Sequence, residues 1–93
     1  MINKNIIKIR KKLDKLDNAF LKLVKKRTSL VDQVLANKKY KKDIIDKKRI
    51  LKILNTINNK SKKMYIDPKI TKKIWVAMIR SYIDYEYRNF RKK

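Results

Sequence analysis

No glycine occurs anywhere in this chain of 93 residues, and its single proline is Pro68. Glycine supplies the positive backbone φ angles that tight hairpin turns and phosphate-binding loops require. A chain without it is a poor candidate for a β-sheet protein, a dinucleotide-binding fingerprint or a P-loop. The sequence therefore predicts an all-α fold, and we expect residues 1–93 to form one small helical domain.

Cysteine and histidine are absent as well. Their absence excludes disulfides and catalytic triads that use either residue, and it leaves almost no means of building a zinc site. No apolar run approaches the roughly 18 residues of a membrane span, and residues 1–4 lack the apolar block of a signal peptide. We therefore expect a cytoplasmic protein that contacts no membrane and holds no metal.

The formal net charge is +21, from 29 lysines and arginines against eight aspartates and glutamates. This charge suits the binding of nucleic acid or of an anionic metabolite, although a solvated, lysine-coated surface explains most of it. Only six of the cations are Arg, and Glu86 is the only Glu in the sequence. Residue types that are rare in so biased a chain are the best candidates for specific chemistry.

The first part of the chain carries a heptad pattern, in which apolar residues are spaced alternately three and four apart. The pattern predicts one helix from about residue 5 to residue 38. Its apolar seam consists of Ile6, Ile9, Leu13, Leu16, Phe20, Leu23, Leu30 and Val34. Arg27 takes the one seam position that is not apolar, and a guanidinium buried there needs an anionic partner.

Two shorter helices are predicted to follow. Residues 37–42 are polar and basic and are predicted to form a loop, after which Asp43 or Asp46 can cap the second helix. The apolar positions of the second helix are Ile50, Ile53, Leu54 and Ile57. Residues 58–65 are rich in Asn, Lys and Ser and are predicted to form another loop. Asp67-Pro68 then provides an N-cap and a first helical residue for a third helix, which runs to about residue 90.

The length of the first helix predicts an oligomer. A helix of about 33 residues spans roughly 50 Å, whereas a compact globule of this chain length has a radius of gyration near 12 Å. The helix therefore extends beyond any globule that one chain can form, and its exposed apolar seam needs a partner. We expect an intertwined homodimer in which the two long helices pack on each other.

Three cations and one carboxylate are predicted to converge from the three helices. Lys38 lies eleven residues, about three helical turns, beyond Arg27, so the two side chains point the same way. Arg49 lies near the start of the second helix, and Glu86 continues the inner face of the third. Arg in place of Lys at 27 and 49 suggests bidentate recognition of carboxylates. The plainer interpretation is two ordinary ion pairs, Asp46 with Arg49 and Arg27 with Glu86.

Four segments in order resemble motifs of the all-helical chorismate mutase family, type II. Residues 9–17 (IRKKLDKLD) resemble the family's LRxxIDxID, and residues 23–27 (LVKKR) resemble its LLxxR. Residues 34–38 (VLANK) resemble its VxxxK, and residues 46–54 (DKKRILKIL) resemble its DxxRExxVLxxL. The resemblance covers nearly the whole chain and implies three helices per chain in an interlocked homodimer.

The resemblance also implies a function, the rearrangement of chorismate to prephenate in the shikimate pathway of aromatic amino-acid biosynthesis, without a cofactor. By position, Arg27 and Arg49 match the arginines that grip the two substrate carboxylates. Arg10 matches the first-helix arginine that is supplied to the neighbouring subunit's site. Lys38 matches the lysine that donates to the ether oxygen of the breaking bond, and Glu86 matches a third-helix Gln or Glu that faces the same oxygen.

The remaining matches leave two questions open. Asp46 matches a polar residue near the substrate hydroxyl, and Lys39 competes with Lys38 because the following loop is one residue shorter than in familiar members. The resemblance also places Ile50 and Tyr82 among the substrate-binding residues, although Ile50 stands where many mutases have Glu and Tyr82 stands where a small Ser is common. Both departures resemble the isochorismate-pyruvate lyase branch, which shares the fold and forms salicylate from isochorismate.

The partners predicted are therefore a small dicarboxylate, chorismate or isochorismate, and a second copy of the chain. A basic helical protein that binds nucleic acid is a less favoured interpretation, since it gives no reason for a cation inside an apolar seam. A structural coiled coil is disfavoured by the same arginine.

Overall fold

The structure, a computed structural model, describes residues 3–91. Its elements are helix α1 (Lys4–Ala36), a short 3₁₀ segment (Lys41–Ile44), helix α2 (Lys47–Lys63) and helix α3 (Pro68–Asn89). No β-strand occurs within the described residues, so the predicted all-α class is confirmed. Met1 and Ile2, which begin the N-terminal segment considered above, lie outside the described residues, as do Lys92 and Lys93.

Helix α1 is continuous for 33 residues, as the heptad pattern predicts, but it ends at Ala36, so Lys38 follows the helix instead of ending it. Asn3 caps its start, because the Asn3 side chain accepts a hydrogen bond from the Ile6 amide at 2.9 Å. Asn37 is the C-cap, and its Nδ2 donates to the Gln33 carbonyl at 2.8 Å. Long as α1 is, neither it nor any other described helix is apolar over a sufficient length to cross a bilayer.

The connection between α1 and α2 uses both of the aspartates that the sequence offers as caps. Asp43 stabilises the start of the 3₁₀ segment, since its Oδ2 accepts a hydrogen bond from the amide of Tyr40, the N-cap, at 3.3 Å. Asp46 is the N-cap of α2, and its Oδ1 accepts from the Arg49 amide at 3.0 Å. The predicted loop over residues 37–42 is shorter than expected, because the 3₁₀ segment begins at Lys41 and takes its last two residues.

The predicted loop over residues 58–65 is wrong, since α2 continues to Lys63. The polar composition of this stretch suggested a loop, but it contains no glycine or proline to end the helix. Ser61 is buried within it, and its hydroxyl contacts the Ile57 carbonyl at 2.6 Å and Thr71 Oγ1 on α3 at 2.7 Å. A tertiary contact thus holds the last turn of α2 in place.

Helix α2 ends in a Schellman motif. The Ile66 amide donates to the Ser61 carbonyl at 2.9 Å, and the Tyr65 amide donates to the Lys62 carbonyl at 3.2 Å. The motif requires a left-handed residue, and Tyr65 takes that position with a φ of 58°. Glycine usually occupies this position, but the chain contains none, so Tyr65 adopts the left-handed conformation despite the steric repulsion of its Cβ. The tight turn then leads through Asp67, whose side chain accepts from the Lys69 amide at 2.9 Å, into α3.

We expect Ser61→Ala to lower the free energy of unfolding by about 1 kcal/mol, the usual net value of a lost hydrogen bond. The reason is that Ser61 Oγ and Thr71 Oγ1 are both buried and join the last turn of α2 to the first turn of α3. Urea unfolding at one fixed protein concentration measures the change. Ser81→Ala is the matched control, because the exposed Ser81 hydroxyl bonds only its own helix, at the Ala77 carbonyl. An equal loss in both variants would contradict the interhelical role.

Helices α2 and α3 form a hairpin, and the C-terminal part of α1 packs along α3. Within residues 3–91 the buried apolar side chains are few, namely Leu35 of α1 and Ile44 of the 3₁₀ segment. Polar contacts support this small core. The Tyr85 hydroxyl donates to Asp32 Oδ1 of α1 at 2.8 Å, and this bond to a carboxylate raises the pKa of Tyr85 above its usual value.

The apolar seam of α1 stays uncovered within one chain. Its eight members are all exposed, from 37% for Ile6 to 65% for Leu16. The radius of gyration is 17.0 Å, well above the roughly 12 Å of a compact chain of this length. An exposed apolar face of this extent is typical of an interface, so the single chain supports the expected homodimer, which remains a prediction.

Candidate active site

A pocket of about 310 Å³ lies where α1, the 3₁₀ segment, α2 and α3 meet. This volume is within the range of small-molecule sites. Half of its lining consists of aliphatic residues that were not predicted as site residues: Leu30, Val31, Val34, Ile44, Ile53, Ile79 and Ile83. The other half consists of seven of the eight site residues predicted from the sequence: Arg27, Lys38, Asp46, Arg49, Ile50, Tyr82 and Glu86. Three helices thus bring together residues that are up to 59 positions apart in the chain, from Arg27 to Glu86.

Lys38 and Glu86 form an ion pair in this pocket. Lys38 Nζ donates to Glu86 Oε1 at 3.1 Å and to the Ile44 carbonyl at 3.3 Å. Both side chains are largely covered, with 17% of Lys38 and 9% of Glu86 exposed. An ammonium has three N–H groups, so two bonds leave one free to donate to a ligand. Lys39 is exposed and does not line the pocket.

The two arginines of the pocket have no carboxylate partner within residues 3–91. The ion pairs that offered the plainer interpretation do not form, because Asp46 accepts from the Arg49 amide and Glu86 pairs with Lys38. Arg27 is exposed instead of buried, since the seam that contains it is itself uncovered in one chain. Both guanidiniums line the pocket and keep their forks of N–H donors available for an anion.

The Arg27 guanidinium does have a neighbour, the aromatic ring of Tyr82. The guanidinium carbon lies 5.9 Å from the ring centroid, within the range of a cation–π contact. The Tyr82 hydroxyl turns away to α1, where it lies 2.7 Å from Thr28 Oγ1 and 3.3 Å from the Val24 carbonyl. Tyr82 therefore offers the pocket a ring rather than a hydroxyl donor. Ile50, half-buried on α2, adds apolar surface.

Arg10 is the one predicted site residue that does not line the pocket. It is exposed in the N-terminal half of α1, 17 residues before Arg27, which corresponds to about 25 Å along the helix. Arg10 therefore cannot reach the pocket of its own chain. Its supply to a partner's site remains a prediction that depends on the homodimer.

The sequence profile of the family described as Chorismate mutase type II matches residues 9–87 of the chain. The chain belongs to this family. The matched segment contains all eight predicted site residues, from Arg10 to Glu86, and the family is all-helical, as the structure is. No curated protein and no solved structure gave a significant match.

The structure of this chorismate mutase type II chain shows contacts around the site residues that the sequence motifs did not predict. The Ile44 carbonyl holds Lys38, and Thr28 holds Tyr82. The Thr28 and Tyr82 hydroxyls are 54 positions apart in sequence, so no periodic pattern links them. Thr28 does follow Arg27 directly, and a polar residue beside a predicted substrate ligand was the one available signal.

Proposed function

We propose that this chain catalyses the Claisen rearrangement of chorismate to prephenate, as the family-level assignment suggests. The observation that carries the proposal is the state of the cations in the pocket. Lys38 is held by two bonds and keeps one N–H, while Arg27 and Arg49 face the same space without a carboxylate partner in the described chain. A small dicarboxylate supplies what these three groups lack.

The reaction suits a site that contains no nucleophile. In the rearrangement one ether C–O bond breaks as one C–C bond forms, within a single molecule and with no atom gained or lost. The protein needs to hold the substrate's enolpyruvyl arm over its ring and to stabilise the charge that develops on the ether oxygen. Enzymatic accelerations begin near a millionfold, about 8 kcal/mol, and orientation with preorganised donors can supply that amount.

Each group of the pocket has a distinct part in this proposal. Arg27 and Arg49 bind the two carboxylates and select the reactive conformer. The free N–H of Lys38 donates to the ether oxygen, and because Glu86 and the Ile44 carbonyl fix the ammonium beforehand, little reorganisation is needed. The aliphatic side chains of the wall offer no competing hydrogen bonds and lower the polarity around the substrate, which strengthens these electrostatic contacts.

A second candidate is the elimination of pyruvate from isochorismate to give salicylate. Two features of the pocket favour it, the apolar Ile50 beside Asp46 and the bulky ring of Tyr82. Both reactions break an ether bond in a dicarboxylate of the same size, so the same cations serve either one. Fold alone does not separate two activities within one family.

Product identity tests the proposal. The purified chain is given chorismate and isochorismate in separate reactions, and the products are separated by liquid chromatography. Prephenate from chorismate is the expected result, and it should disappear in Arg49→Ala. Salicylate and pyruvate from isochorismate, with chorismate unchanged, would replace the mutase assignment by the lyase. Chorismate and isochorismate both left intact would overturn both.

We expect Glu86→Ala to lower kcat more than Glu86→Gln does. Glu86 Oε1 accepts a hydrogen bond from Lys38 Nζ at 3.1 Å and so holds the ammonium in place. Gln at this position can still accept from Lys38 through its carbonyl and can donate to the ether oxygen through its amide, whereas Ala can do neither. Initial rates of the two variants at one fixed pH measure the effect. Equal kcat values for the two variants would contradict the expectation.

A further inference from the structure

We propose that Tyr82 and Thr28 form a brace that positions the Arg27 guanidinium for a substrate carboxylate. This inference rests on the proposed function, since it concerns how one arginine of the site is held. It changes the role of Tyr82, which the resemblance placed among the substrate-binding residues. In this reading Tyr82 is a positioning residue that acts through Arg27, and Thr28 is part of the same device.

Arg27 is the residue that needs such support. It is exposed, and no carboxylate of residues 3–91 lies within ion-pair distance of its guanidinium. A free arginine side chain populates many rotamers, and a ligand that binds it must restrict them. The Tyr82 ring, 5.9 Å from the guanidinium carbon, provides a face on which the charged group can rest before the substrate arrives.

The hydroxyl bonds fix that ring. Thr28 Oγ1 lies 2.9 Å from the Val24 carbonyl and 2.7 Å from the Tyr82 hydroxyl, which itself lies 3.3 Å from the same carbonyl. Whichever hydroxyl donates to the other, the acceptors within reach of the Tyr82 hydrogen are Thr28 Oγ1 and the Val24 carbonyl, both on α1. The one hydrogen of the Tyr82 hydroxyl is therefore committed to α1 and is unavailable to a substrate. Since Val24 and Thr28 flank Arg27 on the same helix, the ring is anchored to the turn of α1 that carries the guanidinium.

The brace distinguishes the two arginines of the pocket. Arg49 has no aromatic ring in the corresponding position among the described contacts, so Arg27 alone is held in this way. A small residue at position 82 leaves the guanidinium unsupported. The expected effect of losing the ring is weaker substrate binding with little change in the chemical step, because the carboxylate contact is made equally in ground and transition states.

The test compares Tyr82→Phe, Tyr82→Leu and Arg27→Ala, singly and in the Arg27→Ala/Tyr82→Leu double variant. Tyr82→Leu should raise KM roughly fivefold, the equivalent of one exposed cation–π contact, and leave kcat within about twofold. Tyr82→Phe keeps the ring and should rescue most of the loss. In the Arg27→Ala background, Tyr82→Leu should add nothing further, because the group it positions is gone.

Tyr85→Leu is the matched control. Tyr85 lies one turn along α3, also bonds to α1 through its hydroxyl, and does not line the pocket. Its replacement removes an equal ring and an equal interhelical bond, and KM should stay within about twofold. Equal effects of Tyr82→Leu and Tyr85→Leu on KM, or additivity of Tyr82→Leu with Arg27→Ala, would overturn the brace and leave a purely structural role.

A spectroscopic readout separates failure of the brace from failure of the proposed function. The Arg27 Nε–H resonance, assigned with Arg27→Lys, should show a ring-current shift that Tyr82→Phe keeps and Tyr82→Leu loses. This measurement needs no substrate. An intact shift with no turnover of chorismate or isochorismate would refute the proposed function and retain the brace. A resonance that is unmoved by Tyr82→Leu would refute the brace whatever the activity.

Discussion

Lys38→Ala is expected to lower kcat by about 10²- to 10³-fold, the usual loss when one preorganised donor to a developing negative charge is removed. The free N–H of Lys38 is the donor best placed in the pocket, because Glu86 and the Ile44 carbonyl already hold the other two. KM should change less than kcat, since the two arginines still bind the carboxylates. Steady-state kinetics with the substrate that the product analysis identifies measures both constants.

Removing Lys38 also leaves the Glu86 carboxylate buried without its partner, which destabilises a fold by several kcal/mol in typical cases. The Lys38→Ala/Glu86→Gln double variant separates this effect from catalysis, since Gln carries no charge to leave uncompensated. Its thermal stability should recover while kcat stays low. A double variant that regained the wild-type kcat would show that Lys38 matters for stability alone.

Lys39→Ala is the control for position and charge. It removes the same charge one residue further on, from a side chain that is exposed and outside the pocket. Its kcat should remain within about twofold of the wild type. If Lys39→Ala caused the large loss and Lys38→Ala did not, the assignment of the catalytic lysine would have to be exchanged.

The helices were predictable where a local signal fixes them. The heptad pattern predicts α1 because the spacing of its nine seam positions matches the period of a helix. Asp67-Pro68 predicts the start of α3 because an N-cap bonds to residues close to it in sequence. The end of α2 was not predictable in this way. The Ser61 hydroxyl contacts Thr71 on another helix, and without knowledge of that contact the polar residues 58–65 predict a loop.

In the site, too, the sequence predicted which residues take part better than it predicted which residues they contact. Motifs in register identified which residues to examine, and seven of these eight line one pocket. The plainer interpretation, in which these residues form ordinary ion pairs, was wrong; it paired the Asp46 and Arg49 side chains because they are close in sequence. Asp46 is a helix N-cap, and its carboxylate accepts from the backbone amide of Arg49. This hydrogen bond competes directly with an ion pair to the Arg49 side chain. Long-range contacts such as Lys38 with Glu86 follow from the packing of α1 on α3, which sequence spacing does not reveal.

Leu16→Asp is expected to convert a homodimer into single chains. Leu16 is the most exposed member of the α1 seam, at 65%, and the predicted interface runs along that seam. A symmetric dimer would bury two such carboxylates, each unpaired and costing several kcal/mol, so association should weaken by at least about a thousandfold. Light scattering on a sizing column should give about twice the chain mass of 11.3 kDa for the wild type and the single mass for the variant. Asn18→Asp, which adds the same charge on the opposite face of α1, should leave the mass unchanged.

The predicted dimer would also complete the pocket, because Arg10 lies about 25 Å along α1 from its own Arg27 and could act only in a partner's site. Arg10→Ala and Arg27→Ala homodimers should each lose most of the wild-type kcat/KM while keeping a rate that can be measured. After the two variants are unfolded together and refolded, half of the dimers are mixed, and each mixed dimer has one site with both arginines, so about a quarter of wild-type activity should return. An equal mixture that stays at the activity of the single variants while sizing shows dimers would contradict the supply of Arg10 across the dimer, and an Arg10→Ala homodimer as active as the wild type would place Arg10 outside the site. Wild-type chains that run at the single mass would remove the dimer itself, and the apolar seam would then need a different partner.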